Sequence, residues 1–238
     1  MALGVVFFLF FLFIFWGNRV VKKYYKSGQL LFEATYKNGQ QEGVFRRYYQ
    51  SGQLLFESNY KDGKLEGIAK KYYANGQLEE ERNYKNDRED GLKRGYYKNG
   101  QLQYEGILKD GKPHGLYRIY YESGQIQEEG FYQNDQLEGP YKVYYENGQL
   151  QEERFYKSDK LHGIIKKYYD NGKIEAEAVS LNGVAEGIAR KYYKNGQLQE
   201  EVNLKNGKPA GVYKSYYENG KLKKEIIIKQ DEGLDHSR

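Results

Sequence analysis

Residues 144–163 read YYENGQLQEERFYKSDKLHG, and variants of this stretch fill most of the chain. The tyrosine pair that opens it returns every 24 residues without insertion or deletion, at positions 24–25, 48–49, 72–73, 96–97, 120–121, 144–145, 168–169, 192–193 and 216–217. Self-similarity at a fixed period of ~20–50 residues is typical of repeat arrays, in which neighbouring units stabilise one another. The period therefore predicts nine repeats rather than a globular domain.

Two turn signals divide each repeat into a pair of short strands. The first is a Gly four residues after the first Tyr, always preceded by Asn or Ser, as in Asn147-Gly148. Such a dipeptide favours a two-residue type I′ turn, whose central residues need positive φ. The second signal lies about ten residues later, as in Asn38-Gly39, and a further Gly follows it. Each repeat is thus predicted to be one β-hairpin plus a return loop, and the array an antiparallel meander.

The predicted register places opposite charges across every hairpin. A two-residue turn at Asn147-Gly148 gives the cross-strand pairs Tyr145–Leu150, Tyr144–Gln151 and Lys142–Glu153. The equivalents of the last pair are Lys22–Glu33, Arg46–Glu57, Lys70–Glu81, Arg94–Glu105, Arg118–Glu129, Lys166–Glu177, Arg190–Glu201 and Lys214–Glu225. Directly opposed opposite charges contribute roughly 0.2–1 kcal/mol each, so the unbroken set supports this register.

Alternation along the strands places the two tyrosines of each pair on opposite faces. One face carries the first Tyr with the basic–Glu pairs. The other carries the second Tyr and further apolar residues, and we expect a partner, a lipid surface or the sheet's own curvature to cover it, because large exposed apolar patches seldom persist on soluble monomers. Its candidate binding residues are Tyr97, Tyr121, Tyr145, Tyr169, Leu150, Tyr132 and Tyr156. For the tyrosine columns themselves the pattern favours a structural role over binding, as aromatic ladders that stabilise a one-layer sheet, and the two roles can coexist on opposite faces.

Composition agrees with an extended all-β fold. The 238 residues are 39% hydrophobic, with 27 Tyr, which suits half-buried amphipathic surfaces better than a closed core. Nine hairpins give about eighteen strands, and at ~4.8 Å per strand the sheet would run roughly 85 Å. We therefore predict an elongated, single-layer antiparallel β-solenoid.

Charge and motifs argue against several functional classes. Lys and Arg number 38 against 33 Asp and Glu, and this balance is unlike the unpaired basic stripe of a dedicated nucleic-acid binder. Cysteine is absent, and His114 and His162 are two repeats apart, roughly 19 Å, too far to share a metal. Each Glu of the repeated pairs has a basic partner, and no phosphate-binding loop or nucleophile motif occurs. No catalytic residue, metal or cofactor is predicted.

The N-terminal segment, residues 1–18, differs from the repeats. Ala2 to Trp16 holds no charged or polar side chain, and as a helix it would span ~22 Å of a ~30 Å hydrocarbon core. No basic residue precedes it and no Ala-x-Ala site follows, which favours an uncleaved membrane anchor over a cleaved signal peptide or a soluble role. The basic residues that follow it are Arg19, Lys22, Lys23 and Lys26. By the positive-inside rule they place the repeats (19–229) and the polar tail (230–238) on the cytoplasmic side; cleavage would instead imply export to the cell envelope.

The repeat Tyr-Tyr-x-Asn-Gly-Gln-Leu-x-x-Glu-x-x-Tyr-x-Asn-Gly-x-x-x-Gly resembles the variant class of MORN (membrane occupation and recognition nexus) repeats over residues 19–229. The resemblance implies hairpins in an extended sheet that act as a scaffold for protein or lipid contacts. It also implies an antitoxin role as an alternative, since bacterial proteins with this repeat are often labelled antitoxins of toxin–antitoxin pairs. We predict a non-enzymatic, membrane-anchored scaffold for an unidentified protein partner. A structural envelope protein that self-associates through its sheet edges is the second alternative.

We expect small-angle scattering of residues 19–238 to show a markedly elongated particle. A single compact domain of this length would have a radius of gyration of ~18 Å. A value near that figure would contradict the solenoid.

The full chain should resist extraction from membranes by alkaline carbonate, whereas a variant that begins at Asn18 should be soluble. The reason is the uncharged run from Ala2 to Trp16. Recovery of a mature protein that lacks the first ~20 residues would show cleavage and export instead.

Overall fold

The computed structural model describes residues 17–229, and these residues form antiparallel β-sheet without any helix. No helix capable of spanning a bilayer occurs within that range. The apolar run of the predicted anchor, Ala2 to Trp16, and the predicted polar tail, 230–238, lie outside the described residues. Asn18, the last residue of the predicted N-terminal segment, begins the first strand.

Strands occur in the order that the repeats predict. The strands are β1 (Asn18–Tyr24), β2 (Leu30–Lys37), β3 (Gln40–Tyr48), β4 (Leu54–Lys61), β5 (Lys64–Leu65), β6 (Gly67–Tyr72), β7 (Leu78–Lys85), β8 (Arg88–Tyr96), β9 (Leu102–Lys109), β10 (Lys112–Tyr120), β11 (Ile126–Gln133), β12 (Gln136–Leu137), β13 (Gly139–Tyr144), β14 (Leu150–Lys157), β15 (Lys160–Leu161), β16 (Gly163–Tyr168), β17 (Ile174–Leu181), β18 (Val184–Tyr192), β19 (Leu198–Lys205), β20 (Lys208–Tyr216) and β21 (Leu222–Ile228). The all-β hairpin repeat is therefore confirmed.

The strand number exceeds the predicted eighteen because three first strands are each interrupted at one residue. The interruptions fall at Glu66, Glu138 and His162. The backbone continues across each gap, since the N–H of Glu66 still donates to the carbonyl of Asn59 at 3.0 Å. Nine hairpins remain within residues 17–229, one for each tyrosine pair.

The register of the charge pairs is confirmed, but the turn that produces it differs from the predicted one. Lys142 lies opposite Glu153, whereas Tyr144 lies opposite Leu150 and not Gln151. An irregularity between Val143 and Tyr144 restores the predicted register in the body of the hairpin. The turn contains one more residue than predicted, which shifts the pairing by one position, and the bulge shifts the pairing back.

The prediction of a two-residue type I′ turn after the tyrosine pair was wrong. The N–H of Gly148 donates to the carbonyl of Tyr145, and the N–H of Tyr145 donates to the carbonyl of Gln149, both at 2.8 Å. Gly148 has φ of 83°, while Asn147 is not among the positive-φ residues. This is the three-residue loop in which a type I turn precedes a residue in the left-handed region. Asn147 favours it through its side chain, whose Oδ1 accepts the N–H of Gln149 at 3.0 Å.

The return loops are the ones that adopt the type I′ geometry. Asn38 and Gly39 have φ of 51° and 83°, and they connect the paired residues Lys37 and Gln40. The loops without Gly keep the same conformation, as Ser158 and Asp159 have φ of 48° and 64°. Short polar side chains tolerate this region better than others, which explains the degenerate turn sequences.

The described chain divides into two compact units. The first contains the residues up to 78 together with 83–88, and the second contains 79–82 and the residues from 89 onward. In the first unit Ala34 and Ala69 are 2% and 4% exposed. They are the buried hydrophobic side chains of the whole described range, so neither unit has a core of large apolar residues and contacts between adjacent strands supply the stability.

We expect Gly172→Ala to lower the free energy of unfolding by about 1 kcal/mol, because a Cβ is disfavoured in the left-handed region. Gly172 has φ of 79°, and a Cβ at this position would have no atom within 4 Å, so backbone strain is the cause. Gly172→Asn is the matched control and should cost less, since Asn adopts positive φ more readily. Urea denaturation measures both losses, and equal losses would contradict this turn assignment.

Candidate interaction surfaces

The charged face is the side of the sheet that carries the basic–Glu pairs. Arg46 Nε lies 2.6 Å from Glu57 Oε2 within one hairpin. Arg46 also reaches back to Glu33 of the preceding hairpin at 3.6 Å, and Lys22 lies 3.6 Å from the same carboxylate. Glu105 is likewise shared between Arg94 and Arg118. Each such Glu couples its own hairpin to the next one, although partly exposed ion pairs are worth little individually.

The first tyrosine of the pair strengthens this junction. Its hydroxyl donates to the Glu of the preceding repeat, and the observed bonds are Tyr48–Glu33 at 2.9 Å, Tyr120–Glu105 at 2.8 Å, Tyr144–Glu129 at 2.7 Å and Tyr192–Glu177 at 2.8 Å. The hydrogen bond from Tyr48 lowers the pKa of Glu33. Partial burial and the bond to Glu177 raise the pKa of Tyr192 to about 12.

The second tyrosine reaches forward to the next repeat. Its hydroxyl donates to the backbone carbonyl of the next first tyrosine, over distances of 2.7–2.8 Å. The bonds are Tyr25–Tyr48, Tyr49–Tyr72, Tyr97–Tyr120, Tyr121–Tyr144, Tyr145–Tyr168, Tyr169–Tyr192 and Tyr193–Tyr216. The structural role that the sequence offered as an alternative is thus present in the contacts.

The predicted binding residues fall into two groups. Tyr97, Tyr121, Tyr145 and Tyr169 follow the strand ends, and their hydroxyls make the inter-repeat bonds just described. Tyr132 and Tyr156 lie on the face opposite the charged one. They make edge-on ring contacts with Tyr117 at 6.3 Å and Tyr141 at 6.0 Å, two residues that the sequence pattern did not single out. Leu150 lies opposite Tyr144 in the hairpin register. Their role in binding stays a prediction.

The charged face also carries an apolar stripe that was not predicted from the sequence. The apolar stripe consists of Ile107, Leu116, Phe131, Pro140, Phe155 and Ile164, all exposed. Leu116 lies directly opposite Phe131, and Pro140 opposite Phe155, two residues before the charged pairs of the same hairpins. Half of the stripe was detectable as an apolar residue two positions before a paired basic residue, and the other half lies two positions after a paired Glu. The charged face is therefore not wholly polar, because the stripe lies beside its ion pairs.

On the face opposite the charged one, large tyrosine rings lie beside glycines. Tyr117 lies opposite Gly106 on one side and Gly130 on the other. A Cβ at Gly130 would lie 2.6 Å from the Tyr141 ring, and one at Gly106 would lie 2.8 Å from the Tyr117 ring. Glycine therefore provides the space that the large rings occupy, and these positions vary from repeat to repeat.

Two half-buried charge clusters occupy the same face. Arg82 contacts Glu89 and donates to Glu80 at 2.7 Å, and the Tyr104 hydroxyl donates to Glu80 at 2.6 Å. Burial alone would raise the pKa of Glu80, but the bonds from Arg82 and Tyr104 outweigh it and lower that pKa. In the second cluster Arg154 makes two bonds to Glu152, at 2.8 and 2.5 Å. The sequence signal is Glu-Glu-Arg, which occurs at 80–82 and 152–154.

A cavity of about 350 Å3 opens beside Gly106. Its walls include Lys93, Tyr104, Pro113, His114, Tyr117 and Tyr132. Within residues 17–229, no group of three or more His, Asp or Glu side chains is arranged to hold a metal ion.

The model of the MORN repeat variant family matches nine successive segments of the chain. The segments are 20–38, 41–62, 65–86, 89–110, 113–134, 137–158, 161–182, 185–206 and 210–230. A comparison with curated proteins finds no match.

Solved structures match with low similarity. The wild-type TCP10 domain of Danio rerio CPAP, in complex with a peptide of Danio rerio STIL, is 12% identical with a TM-score of 0.32, and the match covers 88% of this chain and 100% of that chain. A TcdB2-TccC3-Cdc42 crystal structure is 12% identical with a TM-score of 0.22, over 90% of this chain and 14% of that chain.

Stability should fall at alkaline pH as the inter-repeat tyrosines ionise. The pKa of Tyr192 is raised by folding, so its contribution is complete below the ordinary value of 10.0 and is lost as the pH rises through about 12. Tyr192→Phe should remove this part of the pH dependence, and Glu177→Gln should return the tyrosine titration toward 10.0. Unfolding by urea and absorbance titration of tyrosine measure the two effects between pH 9 and about 12. An unchanged titration in Glu177→Gln would contradict the assigned bond.

Proposed function

Because the chain belongs to the MORN repeat variant family, we propose that it is a non-enzymatic repeat scaffold that binds a protein partner through the apolar stripe of the charged face. The family suggests a scaffold for protein or lipid interaction, and the exposure of the stripe is the observation that supports it as the binding surface. Five of its members, Ile107, Leu116, Phe131, Phe155 and Ile164, are 38–49% exposed. Contiguous apolar surface of this kind commonly marks an interaction site.

The surroundings of the stripe have the composition of a protein interface. Its apolar pairs Leu116–Phe131 and Pro140–Phe155 are bordered by Arg118–Glu129 and Lys142–Glu153. An apolar centre with a charged border is the usual arrangement at protein–protein contacts. The inter-repeat bonds hold the strands in register, so the surface is formed before a partner arrives.

Balanced charge favours a protein partner over an anionic lipid surface. Lipid recognition by charge needs an excess of Lys and Arg on one face. On the charged face each repeated basic residue has a Glu opposite it, as Arg118 has Glu129 at 3.2 Å. A face with paired charges presents no such excess.

The N-terminal segment supports a second part of the proposal, a membrane location for the scaffold. Ala2 to Trp16 is an uncharged apolar run, which supports a bilayer anchor although a helix of this length spans only ~22 Å, and the basic residues Arg19, Lys22, Lys23 and Lys26 follow it. The anchored chain would present its repeats on the cytoplasmic side. Carbonate extraction tests the anchor independently of partner binding.

Site-specific photo-cross-linking in native cells tests the binding surface. A benzophenone amino acid at Phe131 or Phe155 should give adducts with a protein other than the chain itself. Gln133 and Lys157 are the matched controls, because they are exposed and lie two residues further along the same strands. They should give at least about tenfold fewer adducts if the partner is centred on the stripe, since contacts at an interface concentrate near its centre.

Equal adducts at the stripe and the control positions, or adducts with lipid alone, would contradict the proposal. As a second measurement, the double variant Phe131→Ser, Phe155→Ser should lose the partner in native purification. Its urea midpoint should stay close to that of the unaltered chain, because both side chains are already partly exposed. Loss of the partner together with loss of folding would show that the two residues act structurally.

A further inference from the structure

The two terminal strands of the described array each leave one edge without a described partner strand. β21 pairs with β20, and β1 pairs with β2. Both strands are more exposed than the others, with Ile227 of β21 and Val20 of β1 at 75% and 60%. An exposed strand edge is a template for pairing with another strand.

At β21, the glutamate that corresponds to the shared Glu of the inner repeats is half exposed. Glu225 contacts Lys214 of its own hairpin at 3.8 Å and its side chain is 49% exposed. The equivalent carboxylates Glu33, Glu105 and Glu177 are 22–23% exposed, and the first two lie between a basic residue of their own hairpin and one of the next. The exposed side of Glu225 is thus the side on which an equivalent Glu inside the array contacts the basic residue of the next hairpin.

The tyrosines at the two ends of the array are exposed, whereas their equivalents inside the array bond to a neighbouring repeat. Tyr217 is 51% exposed, and its equivalents, such as Tyr193, donate to the carbonyl of the first tyrosine of the next repeat. Tyr24 is 58% exposed, and its equivalents, such as Tyr48, donate to the Glu of the preceding repeat. The β21 end therefore carries a second tyrosine, Tyr217, whose hydroxyl is a donor. The β1 end carries a first tyrosine, Tyr24.

The register inside the array predicts how two ends would meet. Strand β2 pairs with β3 through Phe32–Arg47 and Glu33–Arg46. Because the repeat is 24 residues, Phe32 corresponds to Lys224 and Arg47 corresponds to Lys23. The same pairing between β21 and β1 of another copy places Lys224 opposite Lys23 and Glu225 opposite Lys22.

We propose that β21 of one copy adds β1 of a second copy, so that chains associate head to tail through the contact that joins consecutive repeats. Glu225 would gain Lys22 as its second basic partner, Tyr24 would donate to Glu225, and Tyr217 would donate to the carbonyl of Tyr24. The surface is the sheet edge and not the apolar stripe, so this inference does not depend on the proposed function.

Charge favours this contact over symmetric pairing of identical strands. An antiparallel β21–β21 pair centred on Glu225 would set two Glu opposite each other, and like charges in that position are destabilising. Two β1 strands would bring together Lys22 and Lys23 of both copies. The β21–β1 contact instead opposes Glu225 to Lys22, which offsets the neighbouring Lys224–Lys23 pair, and as a heterologous contact it extends to further copies.

Disulfide trapping tests the register, using the full chain in mild detergent. The chain has no Cys, so Lys23→Cys, Lys224→Cys introduces the sole thiols. Directly opposed residues in an antiparallel pair have Cα atoms ~4.5–5.5 Å apart, within the range that a disulfide bridges. Oxidation should give a ladder of covalent dimers, trimers and larger species, and a mixture of the two single variants should give dimers alone.

The matched control is Lys23→Cys, Glu225→Cys, one residue out of register and on opposite faces. A ladder formed equally by the control, dimers formed by Lys224→Cys alone, or no ladder at all would overturn the proposal. A ladder that appears only after removal of residues 230–238 would also overturn it, because that segment would then be the occupant of the edge in the full chain.

Charge exchange gives an independent test by sedimentation. Lys22→Glu and Glu225→Lys should each weaken association about tenfold, because a favourable pair becomes a repulsive one. Each variant also alters a pair inside its own chain, Lys22–Glu33 or Lys214–Glu225. Mixing the two variants leaves those internal changes in place. At every junction between unlike variants, however, a Glu lies opposite a Lys, so mixing should restore association. Failure of mixing to restore it would contradict the Glu225–Lys22 contact.

Discussion

The hydrogen bond from the second tyrosine of each pair to the carbonyl of the next first tyrosine is the contact on which the array depends. It recurs at 2.7–2.8 Å from Tyr25 to Tyr193, and it joins each hairpin to its successor at the turn end of the strands. The shared Glu of the charged face makes the same connection further along the strand. Because the described residues have no core of large side chains, stability is a sum of such nearest-neighbour contacts. The period must therefore stay at 24 residues, since an insertion would misplace both contacts.

The two faces of the sheet have different tasks. On the face opposite the charged one, ring sizes are matched to glycines, as Tyr117 is matched to Gly106 and Gly130. Residues on that face vary between repeats, and the Glu-Glu-Arg clusters occur there. On the charged face the polar residues are constant and the apolar stripe is exposed. Polar residues that are the same in every repeat, together with an exposed apolar stripe, suit the scaffold role that the repeat family suggests.

The same groups that hold the repeats together are exposed at the two ends of the described array. In the middle of the array, the Glu, the first tyrosine and the second tyrosine each have a neighbour in the adjoining repeat. At β21 and β1 the corresponding groups Glu225, Tyr217 and Tyr24 are about half exposed. A second copy would offer them the same chemistry that a tenth repeat would offer.

The sequence by itself determined the hairpin repeat and the charge-pair register, because both follow from local turn signals and a fixed period. Lys142 lies opposite Glu153 as predicted. The turn types needed the structure, because an Asn-Gly dipeptide is compatible with a two-residue turn and with the three-residue loop found at Gly148. Two hydrogen bonds identify the loop: the N–H of Tyr145 donates to the carbonyl of Gln149, and the carbonyl of Tyr145 accepts from the N–H of Gly148. The cancelling bulge has no local signature.

The exposed surface was also decided by the tertiary structure. Sequence alternation assigns residues to a face but does not give the area that neighbouring strands cover. Tyr132 and Tyr156 were predicted to lie on an apolar face, and they do, but ring contacts with Tyr117 and Tyr141 already occupy them. Phe131 and Phe155, one residue earlier, remain exposed on the charged face, and beside Phe131 the side chains of Arg118 and Tyr144 bond to Glu129. Exposure depends on which neighbours fill the space above a residue, and only the packed sheet contains that information.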